Sequence, residues 1–349
     1  MDFLLSNYPP VRTNSQTFAD AFYNLLPQTE KLDIAVGYIT SDSLSELQKA
    51  VELNHVQQLN LIIGMHYIEH FTQVEYKTAM KLNEFLRDNH AGEVRLVTPF
   101  RYHGKLYSFQ NANGNFAGII GSNNLSSIVD GQNRVYESSV LIRDGNILRQ
   151  MNRFIADLTE KATENIADLQ IDTFKSNNSL LDGQDYVEKA TPEEIAKCMN
   201  AKTDITFDIP VKDTPQSNLN VFFGKGRETM STGVVKPRHW YEAEIIVSKN
   251  ITSQRGYPQA QTETASFDVI TDDGWKFKCK VSGDYSKNFR SEGDLRILGK
   301  WLKGRLENAG VLITGEPVTN EVLNNYGRNT FSLTKTSIGN LWYLDFGGK

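Results

Sequence analysis

An α/β domain followed by a mainly β domain is the architecture this sequence predicts, on three observations. Strand-like and helix-like apolar patterns alternate in the first half, short strand-like runs crowd the second, and the sign of the charge changes between them. At 349 residues the chain exceeds the length at which a single core stops growing, so two domains are expected. Before residue 200 there are 17 basic against 25 acidic residues; from residue 200 onward there are 20 against 17. The net charges are therefore −8 and +3, an asymmetry expected when one domain handles a polyanion.

The elements follow in order. Residues 32–39 read as a buried strand, after which Ser41 and Asp42 offer an N-cap to an apolar-periodic helix over 44–53. A second strand spans 59–64, a helix about 72–86 and a third strand 93–97. Three more strands come with no helix between them, at 105–110, 116–120 and 136–142, the first two joined as a hairpin by the polar turn 111–115. A long helix is expected over about 147–165. Residues 168–200 are polar and read as a linker carrying one short helix. Beyond it, strands are expected at 220–223, 241–248, 265–270, 275–281, 311–314 and 330–334, with a clear helix only at 295–306. Many short strands at close spacing predict a barrel or sandwich. The boundaries are thus 1–167, 168–200 and 201–349.

Composition removes several classes of function. No apolar run is long enough to span a membrane, so no membrane partner is expected. Residues 1–6 lack a basic start followed by a long apolar run, and no secretory signal is read there. Cys198 and Cys279 are too few and too far apart for a disulfide framework or a zinc site. A reducing, cytoplasmic setting is expected. His66, Glu69 and His70 have helical spacing but lack the Glu that follows the first His in a zinc-protease helix, so no metal is expected there.

The chemistry concentrates in one stretch. His103-Gly104-Lys105 leads into a strand, where residues two apart share a face, so an imidazole and an ammonium converge on one anion. A His-x-Lys triplet alone arises by chance in roughly one chain in three, so it carries little weight by itself. Gly121-Ser122-Asn123-Asn124 closes the next strand with a hydroxyl and a carboxamide that can donate to phosphate oxygens. Glu137 follows in an apolar setting, either as an edge residue facing water or as a group kept for a histidine, which it would orient and hold in one tautomer.

Together these residues resemble the phospholipase D superfamily, whose pattern runs His-x-Lys, then Asp, then Gly-Ser-x-Asn. The resemblance covers about residues 25–165. It implies a mixed sheet flanked by helices, a nucleophilic histidine, a phosphohistidine intermediate, and no metal or other cofactor. It implies His103, Lys105, Ser122, Asn124 and Glu137 as the catalytic group. One position departs: where the superfamily has Asp, five residues after the lysine, this chain has Gln110. Glu137 is the residue expected to take over its orienting role. Since superfamily catalysis takes two such motifs and this chain has one, a homodimer formed through the N-terminal domain with one shared site is implied.

The second half carries two basic, Gly-containing segments. One holds Lys225, Arg227, Lys236, Arg238 and His239, the other Lys287, Asn288 and Arg290. Arg and Asn are the usual readers of guanine and adenine, so these segments are candidate arms on double-stranded DNA. With the stretch 293–303, the layout resembles the B3-like pseudobarrel of restriction endonucleases of the NgoAVII type. That resemblance implies a sequence-specific enzyme of a restriction-modification system, in some relatives working with an accessory helicase-like ATPase. Two rival readings stand beside it. A DNA-binding protein with an inactive nuclease fold is motivated by Gln110. A lipid phosphodiesterase finds no amphipathic or strongly apolar surface segment in its favour.

Overall fold

The computed structural model describes residues 1–129, 135–176, 180–230 and 233–348. Its packing divides the chain into two units: Met1–Asn177 with Gly226–Pro237, and Asn178–Lys225 with Arg238–Lys349.

The first unit is built on strands β1 (Asp2–Leu5), β2 (Lys31–Val36), β3 (Gln58–Ile63), β4 (Phe71–Thr72), β5 (Gly92–Val97), β6 (Lys105–Asn111), β7 (Gly114–Gly121), β8 (Ser138–Ile142), β9 (Thr163–Asn165) and β10 (Phe174–Lys175). Eight of these form a mixed sheet in the order β1-β8-β7-β6-β2-β3-β5-β9, in which β2, β3 and β5 are mutually parallel. Its helices are α1 (Phe18–Leu25), α2 (Ser41–Leu53), α3 (His66–Glu69), α4 (Gln73–Asp88) and α5 (Gly145–Ala162).

The period of two divides the strands between two cores. Leu32, Ile34 and Val36 join Leu44, Leu47, Leu82 and Leu86 from α2 and α4, whereas Ala35, Ile62 and Val97 meet Leu148, Met151 and Ile155 from α5. Both faces of the central strands are therefore covered, which is why they read as near-continuous apolar runs. Helix starts are set chemically. Thr40 with Ser43 and Thr72 with Glu75 form reciprocal capping boxes, and Asp144 caps α5.

Two expectations need correction here. The helix expected to reach residue 165 ends at Ala162, and Thr163–Asn165 turns into β9, which pairs with β5 and covers that edge of the sheet. β1, not foreseen, pairs antiparallel with β8 and becomes the opposite edge.

The chain then contributes β11 (Glu188–Lys189), α6 (Pro192–Asn200) and β12 (Lys202–Pro210) to the second unit. The stretch read as a linker is thus, from residue 180 on, part of the second unit's packing: β11 pairs with a strand of its sheet, and Cys198 packs on Ile270 and Tyr343. The short hairpin β13 (Arg227–Glu228) and β14 (Val235–Lys236) belongs to the first unit, with Val234 in the first unit's main core.

Strands β15 (Ile245–Ile246), β16 (Ser266–Thr271), β17 (Trp275–Ser282), β18 (Asn288–Ser291), β19 (Thr330–Thr336) and β20 (Leu341–Asp345) complete the second unit, with α7 (Lys249–Thr252), α8 (Arg296–Asn308) and α9 (Asn320–Tyr326). They make a curled sheet in the order β12-β19-β20-β16-β17-β18-β15, a half-barrel around Trp240, Phe267, Phe289, Trp301 and Phe331. Three expected strands are absent as such. Residues 221–223 form a turn of 3₁₀ helix whose Phe222 packs edge-on against Trp240. Of 241–248, only Ile245–Ile246 forms a strand, β15, with Glu244 beside it in an isolated bridge to Asn218. Residues 311–314 fold back on α8, burying Leu312 and donating the Thr314 hydroxyl to Glu307.

Candidate functional site

β6 runs antiparallel to β2 with Lys105 opposite Val36, so the start of β6 lies beside the end of β2. β7 ends next to it, and β8 begins opposite that end, with Gly121 facing Ser139. The loops carrying Gly37, Tyr38, His103, Ser122, Asn124 and Glu137 therefore gather at one rim of the sheet. This is the rim outside the carboxyl ends of the parallel strands, where open α/β sheets place their ligands.

His103 precedes β6 and does not share a strand face with Lys105. Its side chain is exposed, and its imidazole lies against the end of β2, where a Cβ on Gly37 would come 3.0 Å from Cδ2. The Tyr38 ring meets the imidazole edge to face, 5.5 Å between centroids at 79°. Lys105, 6% exposed, points its Nζ to the His103 carbonyl oxygen at 2.7 Å. Burial pulls the pKa of this ammonium down, and the nearby Glu137 carboxylate pushes it back up.

The turn after β7 is fixed from below. Tyr107 donates its hydroxyl to the Asn123 carbonyl at 2.9 Å, and Ser139 Oγ donates to Asn123 Oδ1 at 2.6 Å. Asn124 is thereby presented above the rim. Its Oδ1 accepts the Tyr38 N–H at 3.1 Å, which leaves the amide nitrogen as the remaining, donating end of the carboxamide. Ser122 has another task, since its Oγ donates to the Ser138 carbonyl (3.2 Å) and accepts from the Ser138 N–H (3.0 Å), tying β7 to β8.

Glu137 stands just before β8, its backbone held by Ser6 on both sides. Among the described residues its carboxylate makes no hydrogen bond to His103; its charge favours the Lys105 ammonium and, with burial, keeps the Tyr107 phenol neutral. Asn124 and Glu137 line a common cavity of about 640 Å³ with Ser6, Thr40, Ser126 and Ser127. His103 and Lys105 are not part of its wall. Gln110 lies at the other end of β6, paired with Lys31, and donates to Asp33 Oδ2 at 2.6 Å. Five residues of strand put it about 17 Å from Lys105.

Sequence reading missed three residues here: Tyr38, Glu69 and Arg101. The Tyr38 hydroxyl donates to Glu69 Oε2 at 2.7 Å, and Arg101 Nε stands 3.4 Å from Glu69 Oε1 with its side chain 61% exposed. That hydrogen bond raises the tyrosine's pKa and lowers the carboxyl's. Their adjacency depends on three separate loops meeting, which no spacing in the sequence signals.

The candidate DNA-contacting residues are distributed as follows. In the first unit, Lys236 forms an ion pair with Asp20 at 2.9 Å and lies over the Tyr23 ring, while Arg227 is exposed on the paired strand. In the second, Arg238 grips the buried Glu242 with two hydrogen bonds of 2.9 and 2.6 Å, and Lys225 is exposed. Lys287 is exposed and Asn288 and Arg290 are half-buried, next to a loop where Tyr285 and Ser286 both take positive φ. Tyr285 is 67% exposed with Lys249 Nζ 4.2 Å over its ring; both were passed over in the sequence. An aromatic face can stack on a base while a neighbouring cation attracts phosphate.

Residues 16–171 match the N-terminal PLD domain of the NgoFVII restriction endonuclease, and residues 197–337 match the NgoFVII C-terminal B3-like DNA-binding domain. No curated protein sequence matches the chain. Solved structures similar to it include polyphosphate kinase from Porphyromonas gingivalis, at 12% identity and TM-score 0.32 over 50% of this chain and 26% of that one. Another is phosphatidylserine synthase from Haemophilus influenzae Rd KW20, at 16% identity and TM-score 0.35 over 48% and 41%. The chain thus spans about a quarter and two-fifths of the lengths of these two proteins.

Proposed function

We propose that this chain, which belongs to the NgoFVII restriction endonuclease family, is a DNA endonuclease. It cuts double-stranded DNA sequence-specifically, without a metal, through a phosphohistidine formed at a site shared by two copies of the chain. The observation that carries this reading is the exposed imidazole of His103 at the sheet rim, with Lys105 bonded to its carbonyl oxygen and Asn124 on the same rim, bonded to Tyr38.

A ring nitrogen of one His103 attacks phosphorus, and the bond from phosphorus to the leaving sugar oxygen breaks. The partner's His103, as imidazolium, gives that oxygen its proton. Water then attacks the phosphohistidine, passing a proton to the now neutral imidazole of the partner's His103 and freeing the phosphate monoester. Lys105 and the amide of Asn124 stabilise charge on the non-bridging oxygens, which is the work a metal does elsewhere. Glu137 acts through Lys105, keeping the enclosed ammonium protonated. Base recognition falls to the second unit, with Lys225, Lys287, Asn288 and Arg290 joined by Lys249 and Tyr285. Lys236 and Arg238 hold their own segments through Asp20 and Glu242. An accessory ATPase is compatible with this division of labour.

The inert-nuclease reading rested on Gln110. That residue bonds Asp33 at the far end of β6, so the missing carboxylate was not one that would have touched His103. The deciding measurement is plasmid cleavage in excess EDTA. Cutting should persist there at the rate seen with Mg²⁺, and strict dependence of the isolated protein on added Mg²⁺ would refute the mechanism.

A further inference from the structure

We propose that Tyr38 is a positioning residue for the reaction at His103, one residue that sets both the nucleophile and the phosphate donor. The inference rests on the reading of His103 just given.

Tyr38 lies two residues beyond the end of β2 and reaches the site twice. Its backbone N–H bonds Asn124 Oδ1 at 3.1 Å, which fixes which end of that carboxamide is free to donate. Its ring meets the His103 imidazole edge to face at 5.5 Å. The exposed imidazole makes no hydrogen bond of its own among the described residues, so its packing against this ring and against Gly37 bears on its rotamer. Gly37 leaves it 3.0 Å of room that a methyl group would take.

The ring itself is held on two sides. Below it lies the buried His66, 5.7 Å between centroids at 71°, and His66 in turn packs on Phe71 at 4.6 Å. Burial lowers the pKa of His66 to about 4, so it remains a neutral wedge and is unsuited to be the second, proton-donating histidine. At its far end the hydroxyl is anchored by Glu69 at 2.7 Å, itself paired with Arg101. A tyrosine packed on one face, tethered at its tip and fixed at its backbone is a rigid reference for a side chain that must be aligned with phosphorus. Alignment matters because misplacing a catalytic group by about 1 Å costs on the order of 100-fold in rate.

The test is single-turnover cleavage by full-length Tyr38→Leu, Tyr38→Phe and Gly37→Ala, with DNA affinity and the pH–rate profile measured for each. Tyr38→Leu should lower the rate about 10- to 100-fold at unchanged Kd and move the limb of the profile that belongs to His103. Tyr38→Phe, which keeps the ring and loses only the tether, should recover most of that rate. Gly37→Ala, which crowds the imidazole directly and leaves Tyr38 in place, should slow cleavage more mildly at unchanged Kd and shows separately that the setting of His103 matters. Wild-type rates and pH limbs in Tyr38→Leu, or a loss explained wholly by weaker DNA binding, would overturn the proposal. If Tyr38→Leu does not fold, Tyr38→Met, which keeps the bulk and removes the ring, takes its place with the same expected loss at unchanged Kd and the same overturning result. Full cleavage by His103→Ala would instead sink the underlying reading, a result separable from all of these.

Discussion

Lys105 is nearly enclosed, yet its ammonium is met by the His103 carbonyl and lies within reach of Glu137's charge, which is how a buried cation is kept. Glu307 in the second unit poses the opposite problem. Its Oε1 accepts from Trp240 Nε1 (2.8 Å) and Thr314 Oγ1 (2.6 Å), its Oε2 from the Tyr241 hydroxyl (2.8 Å), and the buried Lys303 lies nearby. Burial outweighs these partners and pushes the carboxyl up to about 7 from an ordinary 4.5. The folded state therefore holds a proton that the unfolded state releases. The stabilisation this gives is complete below about pH 4.5 and is lost as pH rises through about 7. Glu307→Gln cannot ionise, so the stability of wild type relative to this variant should fall with rising pH across that window, by on the order of 3 kcal/mol. Urea unfolding of both proteins from about pH 5 to 8 measures it, and a flat difference would show that Glu307 does not titrate there.

At the scale of elements, the two basic segments differ in how they are held. β13 and β14 bring Lys236 to Asp20, and that ion pair engages its ammonium at 2.9 Å. The segment before β18 leaves Lys287 exposed, beside the left-handed pair Tyr285 and Ser286. Two consecutive non-glycine residues at positive φ cost of order 1–3 kcal/mol each, strain that such loops retain at binding sites. Lys287→Ala should therefore lower the salt slope of DNA binding by about one, whereas Lys236→Ala should leave it nearly unchanged. Equal slopes for the two variants in full-length protein would remove the distinction. The same elements mark the limit of sequence reading. β2, β3, β5 and α4 were legible because their side chains are buried in regular periods with capping threonines at the helix starts. β12 alternates Ile205, Phe207 and Ile209 and was missed among polar neighbours, and the helix-like pattern into 163–165 was overridden by an open sheet edge. The site residues at motif positions could be found by spacing. Tyr38, Glu69 and Arg101 could not, because only the closing of the sheet brings their loops together.

For the molecule as a whole, the chain carries one His-x-Lys group and a two-step phosphoryl transfer needs two histidines in different protonation states. If the second comes from another copy, the unit of activity is the dimer, with one site built from both chains. His103→Ala should abolish cleavage while leaving DNA affinity intact, since the B3-like domain lies elsewhere in the sequence. Mixed dimers separate the shared site from its alternative. A wild-type chain paired with a His103→Ala chain has only one imidazole for two roles: attack can go unassisted, or assistance can find no nucleophile, so the heterodimer should be severely impaired. Were each chain to carry its own complete site, the sites would contribute additively and the same heterodimer would keep about half the activity. A purified heterodimer with separable tags, assayed at saturating DNA, distinguishes the two outcomes. Half-activity would exclude the shared site even if every residue named at the rim proved catalytic.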